Sequence, residues 1–347
     1  MKKFFTVAAS LILSAAMLTA CGSSAAPAAT TEAPETTAAA VTQAPETTEE
    51  TKSFHIAIVQ QLDHASLDEI RLAIEDELTK AAADKGFQVS YKEFNGQNDN
   101  TVLNQIGAQV VSDKYDAIIP IASLAAQCMV TAADGTNTPI IYAAVSDPAT
   151  AGLTDIPNVT GTSDALNTAF ILDMMLAAQP DVKTVGLLYS NSEANSQTPI
   201  AQAKEYLEQK GIAYIEKTGN STDEILTAAS SLVGRVEAVF TPTDHAVMAC
   251  EGAVAEILNQ AGIAHYTGAD TFVAAGAFTT SGVNYTELGT YTADMAVDIL
   301  LGGAVPEYHV VDGGIITVNT DTAEALGIDY SVFKTMANTL TEVTTVE

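Results

Sequence analysis

From residue 54 onward, short β-rich apolar runs alternate with longer amphipathic stretches, the runs falling at 54–60, 87–94, 117–122, 140–145, 182–189, 212–217, 238–241 and 264–267. Continuous apolar strands separated by helix-length segments predict parallel sheets covered on both faces. Glycine marks the predicted helix ends. Lys85-Gly86-Phe87, Lys210-Gly211-Ile212 and Ala261-Gly262-Ile263 each place it where a helix stops and a strand begins, a turn that favours the left-handed conformation. An apolar content of 47% is ample for packed cores, and 347 residues suit one to three domains, commonly two.

The alternation runs through twice. Tyr115-Asp116-Ala117-Ile118 matches Val236-Glu237-Ala238-Val239, and seven residues after each acid stands Ser123 in one copy and Asp244 in the other. Both residues are expected to close a strand and open a helix, as N-caps do. Each copy follows a strand, a helix, a glycine turn, a strand and a helix. The expected fold is therefore α/β, with two doubly wound parallel-sheet units in one chain.

Ahead of this lies a different kind of sequence. Lys2 and Lys3 precede an apolar run over 4–18, and Leu18-Thr-Ala-Cys21 closes it. That is a lipobox: a signal peptide over 1–20, with Cys21 as the lipidated first residue of the mature chain. The run is too short for a permanent bilayer span, whereas two acyl chains anchor stably. After Cys21 the chain is Ala, Thr, Pro and Glu to residue 53, with Ala-Pro-Glu-Thr-Thr at 33–37 and again at 44–48. Such a composition predicts a disordered tether over 21–53. The chain carries 14 Lys+Arg against 43 Asp+Glu, a formal charge of −29. That charge repels nucleic acid and anionic head groups, so nucleic acid is not an expected partner and the membrane link rests on the lipid. Cys128 and Cys250 are expected on helices of different units, as buried thiols.

In open parallel sheets, ligands bind beyond the carboxyl ends of the strands. Those ends carry Gln60, Gln61 and His64; Asn95 and Gln97; Ser123 with Leu124 and Ala125; Ser146 and Asp147; Asn191, Glu193, Asn195 and Ser196; Asp244; and Asp270. No Arg or Lys is among them, and the two arginines, Arg71 and Arg235, fall within or at the end of helices. A phosphate or dicarboxylate would want a guanidinium fork. A small zwitterion suits the set better: the helix start at Ser123 holds a carboxylate, and Asp244 or Asp270 faces an ammonium. The same residues have plainer roles open to them. Ser123 and Asp244 would cap helices, Asp147 before Pro148 would shape a turn, and His64 would be a polar loop residue. Leu124, Tyr142, Tyr189 and Phe278 are candidate walls for an aromatic side chain, or core.

No nucleophile elbow, zincin motif or phosphate loop occurs, and the five histidines lack metal-ligand spacing. Neither a catalytic residue nor a metal or cofactor is expected, and binding is favoured over catalysis.

Several stretches resemble a known family. They are Ile58-Val-Gln60 with His64 and Leu67-Asp68, Ala144-Val-Ser-Asp-Pro148 followed by Ala151-Gly-Leu153, and Asn158-Val-Thr-Gly161. Further along come Val185-Gly-Leu-Leu-Tyr189, Ser192-Glu-Ala-Asn-Ser196, Pro242-Thr-Asp244 and Tyr285-Thr-Glu-Leu-Gly289. Together the chain resembles the lipid-anchored substrate-binding proteins of ABC importers that take up tryptophan, tyrosine or phenylalanine. The resemblance implies a type I periplasmic-binding fold with three crossings between lobes, near Gly161, Val283 and Asp312. One lobe would then hold 54–161 and 284–311, the other 162–283 and 312–347. It also implies ligand held in the cleft between lobes and delivery of an amino acid to a permease with a cytoplasmic ATPase, with closure by hinge motion. The lipobox places the chain on the outer face of the cytoplasmic membrane, and a monomer is expected. Two positions depart from the family pattern: Ala65 stands where proline is usual after the histidine, and His245 where asparagine is usual after Pro-Thr-Asp. A sugar or nucleoside receptor is the alternative binding reading, though the chain has no Trp to stack on a sugar ring. A lipid-anchored hydrolase or sensor domain is the alternative from another class.

Overall fold

The computed structural model describes residues 51–346; the expected signal peptide, the expected lipidation at Cys21 and the expected tether up to residue 50 lie outside the described residues. Strands β1 (Ser53–Gln60), β2 (Gln88–Asn95), β3 (Ala117–Ile121), β4 (Ile140–Tyr142) and β5 (Val159–Ser163) come first. Next are β6 (Thr184–Tyr189), β7 (Ala213–Thr218), β8 (Ala238–Thr241), β9 (Ala264–Thr267) and β10 (Thr279–Val283). Strands β11 (His309–Val310), β12 (Gly313–Asn319) and β13 (Thr339–Val343) complete the set. Between them run α1 (Ala65–Lys85), α2 (Asn100–Asp113), α3 (Ser123–Ala132), α4 (Thr168–Ala178), α5 (Ala194–Lys210) and α6 (Thr222–Leu232). Then follow α7 (His245–Met248), α8 (Glu251–Gln260), α9 (Asp270–Ala274), α10 (Tyr285–Leu300) and α11 (Thr320–Leu326).

The strands form two sheets. One has the order β11-β5-β4-β3-β1-β2 and is parallel throughout; the other runs β13-β12-β10-β9-β8-β6-β7, with a single antiparallel pair, β10 with β12. Helices α1 and α10 pack on one face of the first sheet and α2 and α3 on the other. Helices α4 and α5 cover one face of the second sheet, α6 and α8 the other. We call each sheet with its helices a lobe. The chain passes between them three times, after Ser163, between Val283 and Tyr285, and between Val310 and Gly313. Gly86 and Gly211 end α1 and α5 in the left-handed conformation, at φ 74° and 71°.

The internal repeat has a physical content. Asp116 takes the His55 N–H at 2.7 Å, and Glu237 takes the Thr184 N–H at the same distance. In each lobe the acid thus covers an amide of the strand next to the sheet's edge, β1 or β6, near its amino-terminal end. One expected strand is shorter than its apolar run over 140–145. Strand β4 stops at Tyr142, Ala143 makes one bridge to Ile121, and Ala144 turns to φ 53°.

Helix α10 belongs to the second half of the chain yet packs on α1, and it approaches closely because residue 289 is glycine. A Cβ there would lie 2.6 Å from the Ile70 carbonyl oxygen and 2.8 Å from the Ala73 Cβ. Gly289→Ala therefore has to push two helices apart and should cost about 1–3 kcal/mol. Denaturant unfolding should report the loss; an unchanged midpoint would contradict this packing.

Candidate functional site

The carboxyl ends of β3 and β4 meet those of β8 and β9 across the space between the lobes. An enclosed cavity lies there, bordered by Ser66, Leu67, Ser123, Ala144 and Ser146 of the first lobe and Thr243, His245 and Met248 of the second. Asp164 and Tyr285, from two of the crossings, complete its wall. About 10 Å³ of free room remains inside, so a ligand has to part the lobes to enter. Direct bonds hold them together. Ser66 Oγ donates to Thr271 Oγ1 at 3.0 Å, and Thr198 Oγ1 donates to Asp147 Oδ2 at 2.5 Å.

Asp164 follows β5 on the first crossing and is 6% exposed. Ser146 Oγ donates to its Oδ1 at 2.8 Å. Burial raises its pKa above the ordinary carboxylate value, with the Ser146 hydrogen bond and the charge of His245 acting in the opposite sense. A carboxylate enclosed this way is stabilised by a positive partner. Tyr285, buried beside it, has its pKa pushed far up by the same burial and then by Asp164.

Across the cavity stands the start of α3. Ser123 is its first residue, and the residue before it, Ala122, offers no side-chain cap. The expectation that Ser123 caps this helix is corrected: it sits one position too far along, inside the first turn. Gln61 caps from outside instead, its Oε1 accepting the Leu124 N–H at 3.1 Å while its Nε2 is fixed to Asn98. Ala122 sits at φ 76°, ψ 162°, a region costly for any residue with a Cβ. That strain turns the helix start, with its positive end and the Ser123 hydroxyl, into the cavity.

The second lobe handles the equivalent place differently. Asp244 caps α7 by accepting the Val247 N–H, and it also accepts Ser190 N–H at 2.7 Å and Ser196 Oγ–H at 2.6 Å. Its lone pairs are spent inside the lobe, and it does not border the cavity. Burial and then Glu193 push its pKa up to about 7. Glu193 takes the N–H groups of His245 and Ala246 and meets His245 Nδ1 at 3.0 Å. Burial works against a charge on His245, but Glu193 outweighs it and raises the imidazole pKa. Asn195 donates to the Thr243 carbonyl at 2.5 Å, fixing the turn ahead of α7. The expected ligand set Glu193, Asn195, Ser196 and Asp244 thus builds the support beneath His245, and His245 is the residue that borders the cavity.

The remaining expected residues divide. Ser123 and Ser146 line the cavity, and His64 caps α1 beside it. Gln60 is bound within the first lobe to Leu62, Asp68 and Arg71. Asp147 holds the 147–150 turn as well as Thr198. Leu124 and Ala125 pack into the first lobe's core, Asn191 is exposed, and Asp270 opens onto a different hollow beside Glu69. Tyr142 and Phe278 are core, and Tyr189 donates to Glu216. The expectation of an Asp270 or Asp244 carboxylate at the ligand is therefore not met by the geometry. Asp164, Ser66 and Met248 went unmarked in the sequence, and Tyr285 and Thr243 stood only within stretches of the family resemblance.

Residues 55–337 match the model of a family described as ABC transporter substrate binding protein. The chain belongs to that family. Its members capture small molecules outside the cytoplasmic membrane and work with a permease. A tyrosine-binding protein of Clostridioides difficile (strain R20291) is 30% identical over 336 residues, covering 94% of this chain and 92% of that protein. A Streptococcus pneumonia ABC domain solved in complex with L-Trp is 28% identical with a TM-score of 0.77, over 84% of this chain and 100% of that one. A ligand-free, open structure of a Clostridium difficile substrate-binding protein with adhesive properties is 32% identical, with the same coverage, yet scores 0.65. The lower score against the more identical chain fits a different angle between lobes, and the direct interlobe bonds mark the present one as closed. Among the described residues no helix is long and apolar enough to cross a membrane.

Two predictions follow from this geometry. Closure holds His64 down at about 4 from 6.5, through burial and then the charge of His245, with Asp68 opposing. Both states are neutral above 6.5; below it the opened or unfolded chain takes up a proton that the closed form refuses. Stability should fall as pH drops from 6.5 toward 4, by at most about 3 kcal/mol. Urea unfolding at pH 7 and 4.5 should show a smaller acid loss in His64→Asn, which keeps an N-cap; equal losses would refute the assignment. Ala122→Gly should relieve backbone strain and raise stability by about 1 kcal/mol after the entropic cost of glycine. A lower unfolding midpoint would show that Ala122 is not strained.

Proposed function

We propose that this chain captures an amino acid with an aromatic side chain between its lobes and delivers it to a membrane permease. The observation that carries this reading is one cavity with a buried carboxylate, Asp164, on one side and on the other the start of α3, where Gln61 covers the Leu124 N–H and Ser123 borders the cavity. The two ends suit the two charges of a zwitterion. Ammonium pairs with Asp164, which Ser146 orients, and carboxylate lies at Ser123 and the helix terminus. Leu67, Met248 and Tyr285 supply an apolar surface for the side chain, with Met sulfur and a tyrosine ring suited to an aromatic neighbour. The tyrosine-binding relative and the complex with L-Trp support the aromatic class.

Binding proceeds by hinge motion. Ligand settles on one open lobe, and the other swings in until Ser66 meets Thr271 and Asp147 meets Thr198. On this reading the lobes are those expected from the sequence with the first boundary moved from 161 to 163, because Thr162 and Ser163 pair with β11 in the first sheet: 54–163 with 284–311, and 164–283 with 312–347. Cys21 carries the lipid, the tether up to residue 53 spaces a monomeric body from the bilayer, and no step is catalytic.

Isothermal titration with the twenty amino acids tests the reading. An aromatic amino acid should bind with a Kd near micromolar, about 8 kcal/mol. Asp164→Asn should weaken it by about 2–5 kcal/mol, since a buried charge loses its partner. Heat from a sugar or nucleoside alone would defeat the amino-acid reading. Undiminished binding by Asp164→Asn would defeat the ammonium assignment.

A further inference from the structure

A second chamber, of about 550 Å³, lies at the hinge. All three crossing segments wall it, through 164–167, 281–283 with Tyr285, and 310–314, and it shares Asp164 and Tyr285 with the interlobe cavity. Its size is that of an ordinary small-molecule site. We propose that this hinge chamber is a separate binding site for a small organic amine with an aromatic or apolar end, and that its occupant opposes amino-acid capture.

The chemistry of the wall selects the ligand. Leu166, Phe170, Val283 and Met336 give it an apolar side, while Asp164 and Asp312 bring carboxylates; no Lys, Arg or His lines it. An anion has nothing to pair with there, and a cation has two carboxylates, of which Asp164 is buried, bonded to Ser146 and in no direct ion pair, the charge of His245 reaching it only from the interlobe cavity. The opposition between ligands rests on the reading above, in which Asp164 holds the amino acid's ammonium. One carboxylate pairs with one ammonium at a time, so an amine drawn to Asp164 from the hinge side takes it from the ligand in the cleft. An occupant touching every crossing also resists the bending that capture requires. The coupling has to be reciprocal.

The test uses the full chain and 2-phenylethylamine, titrated calorimetrically with and without the aromatic amino acid at saturation. The amine should bind, each ligand should weaken the other at least tenfold, and the two factors should agree. Phe170→Ala, or Met336→Ala if that variant misfolds, should cost the amine at least tenfold and leave the amino acid within twofold. Ser123→Val should do the reverse. No heat from the amine overturns the proposal. So does a pattern in which both variants shift both ligands together, because the chamber would then be part of the amino-acid site. Failure of the amino acid to bind wild-type protein would instead sink the functional reading, and the amine titration of Phe170→Ala would still judge the chamber.

Discussion

A carboxylate shut between two lobes, bonded to one serine hydroxyl and feeling a histidine's charge only through space, gains from a counter-charge placed directly against it. Asp164 is in that position, on a crossing segment, and the energetics of the closed form depend on it. Removing an ion from water costs several kcal/mol unless a partner restores what is lost. A ligand that brings an ammonium makes closure favourable, and one without a positive group leaves the penalty standing. Selection and closure are thus the same event, because the group that reads the ligand becomes enclosed only when the lobes meet.

The duplicated architecture supplies the other half of the site by letting its two copies diverge. At corresponding strand-to-helix turns, the first lobe gives its helix start no cap from the preceding residue, strained Ala122, and covers only the Leu124 N–H from a distance, through Gln61. The second lobe saturates the start of α7 with Asp244 and Glu193. Positive helix-end character is therefore available to a ligand on one side only. On the other, the acids support His245 and hold its ring at the cavity wall. An otherwise symmetric clamp acquires a direction, and a dipolar ligand has one sensible way to lie in it.

Much of the scaffold was legible in the sequence because β1, β3, β6 and β8 read as apolar runs, and because Gly86 and Gly211 mark helix ends. Strands β5 and β10 were not legible. They read Val-Thr-Gly-Thr-Ser and Thr-Thr-Ser-Gly-Val, nearly without apolar side chains. β5 and the first three residues of β10 are buried all the same, and several of their hydroxyls are satisfied by neighbours: Thr279 donates to the Thr317 carbonyl, Thr280 to that of Thr267, Ser163 to that of Ser146, while Thr160 Oγ1 finds no partner. With β5 invisible, Asp164 just beyond it had no strand end to mark it. Asp244 was visible for the opposite reason, sitting at a clear strand end, but its three donors come from residues dispersed over 190–247 and no local pattern announces them. Ser123 could be read because its place depends on the repeat alone.

The most direct test of the central claim is a crystal structure with an aromatic amino acid bound. The account predicts the ammonium against the Asp164 carboxylate and the carboxylate against Ser123 and the first turn of α3. A ligand lying the other way round, or an ammonium held by Asp244 or Asp270 with Asp164 untouched, would contradict it.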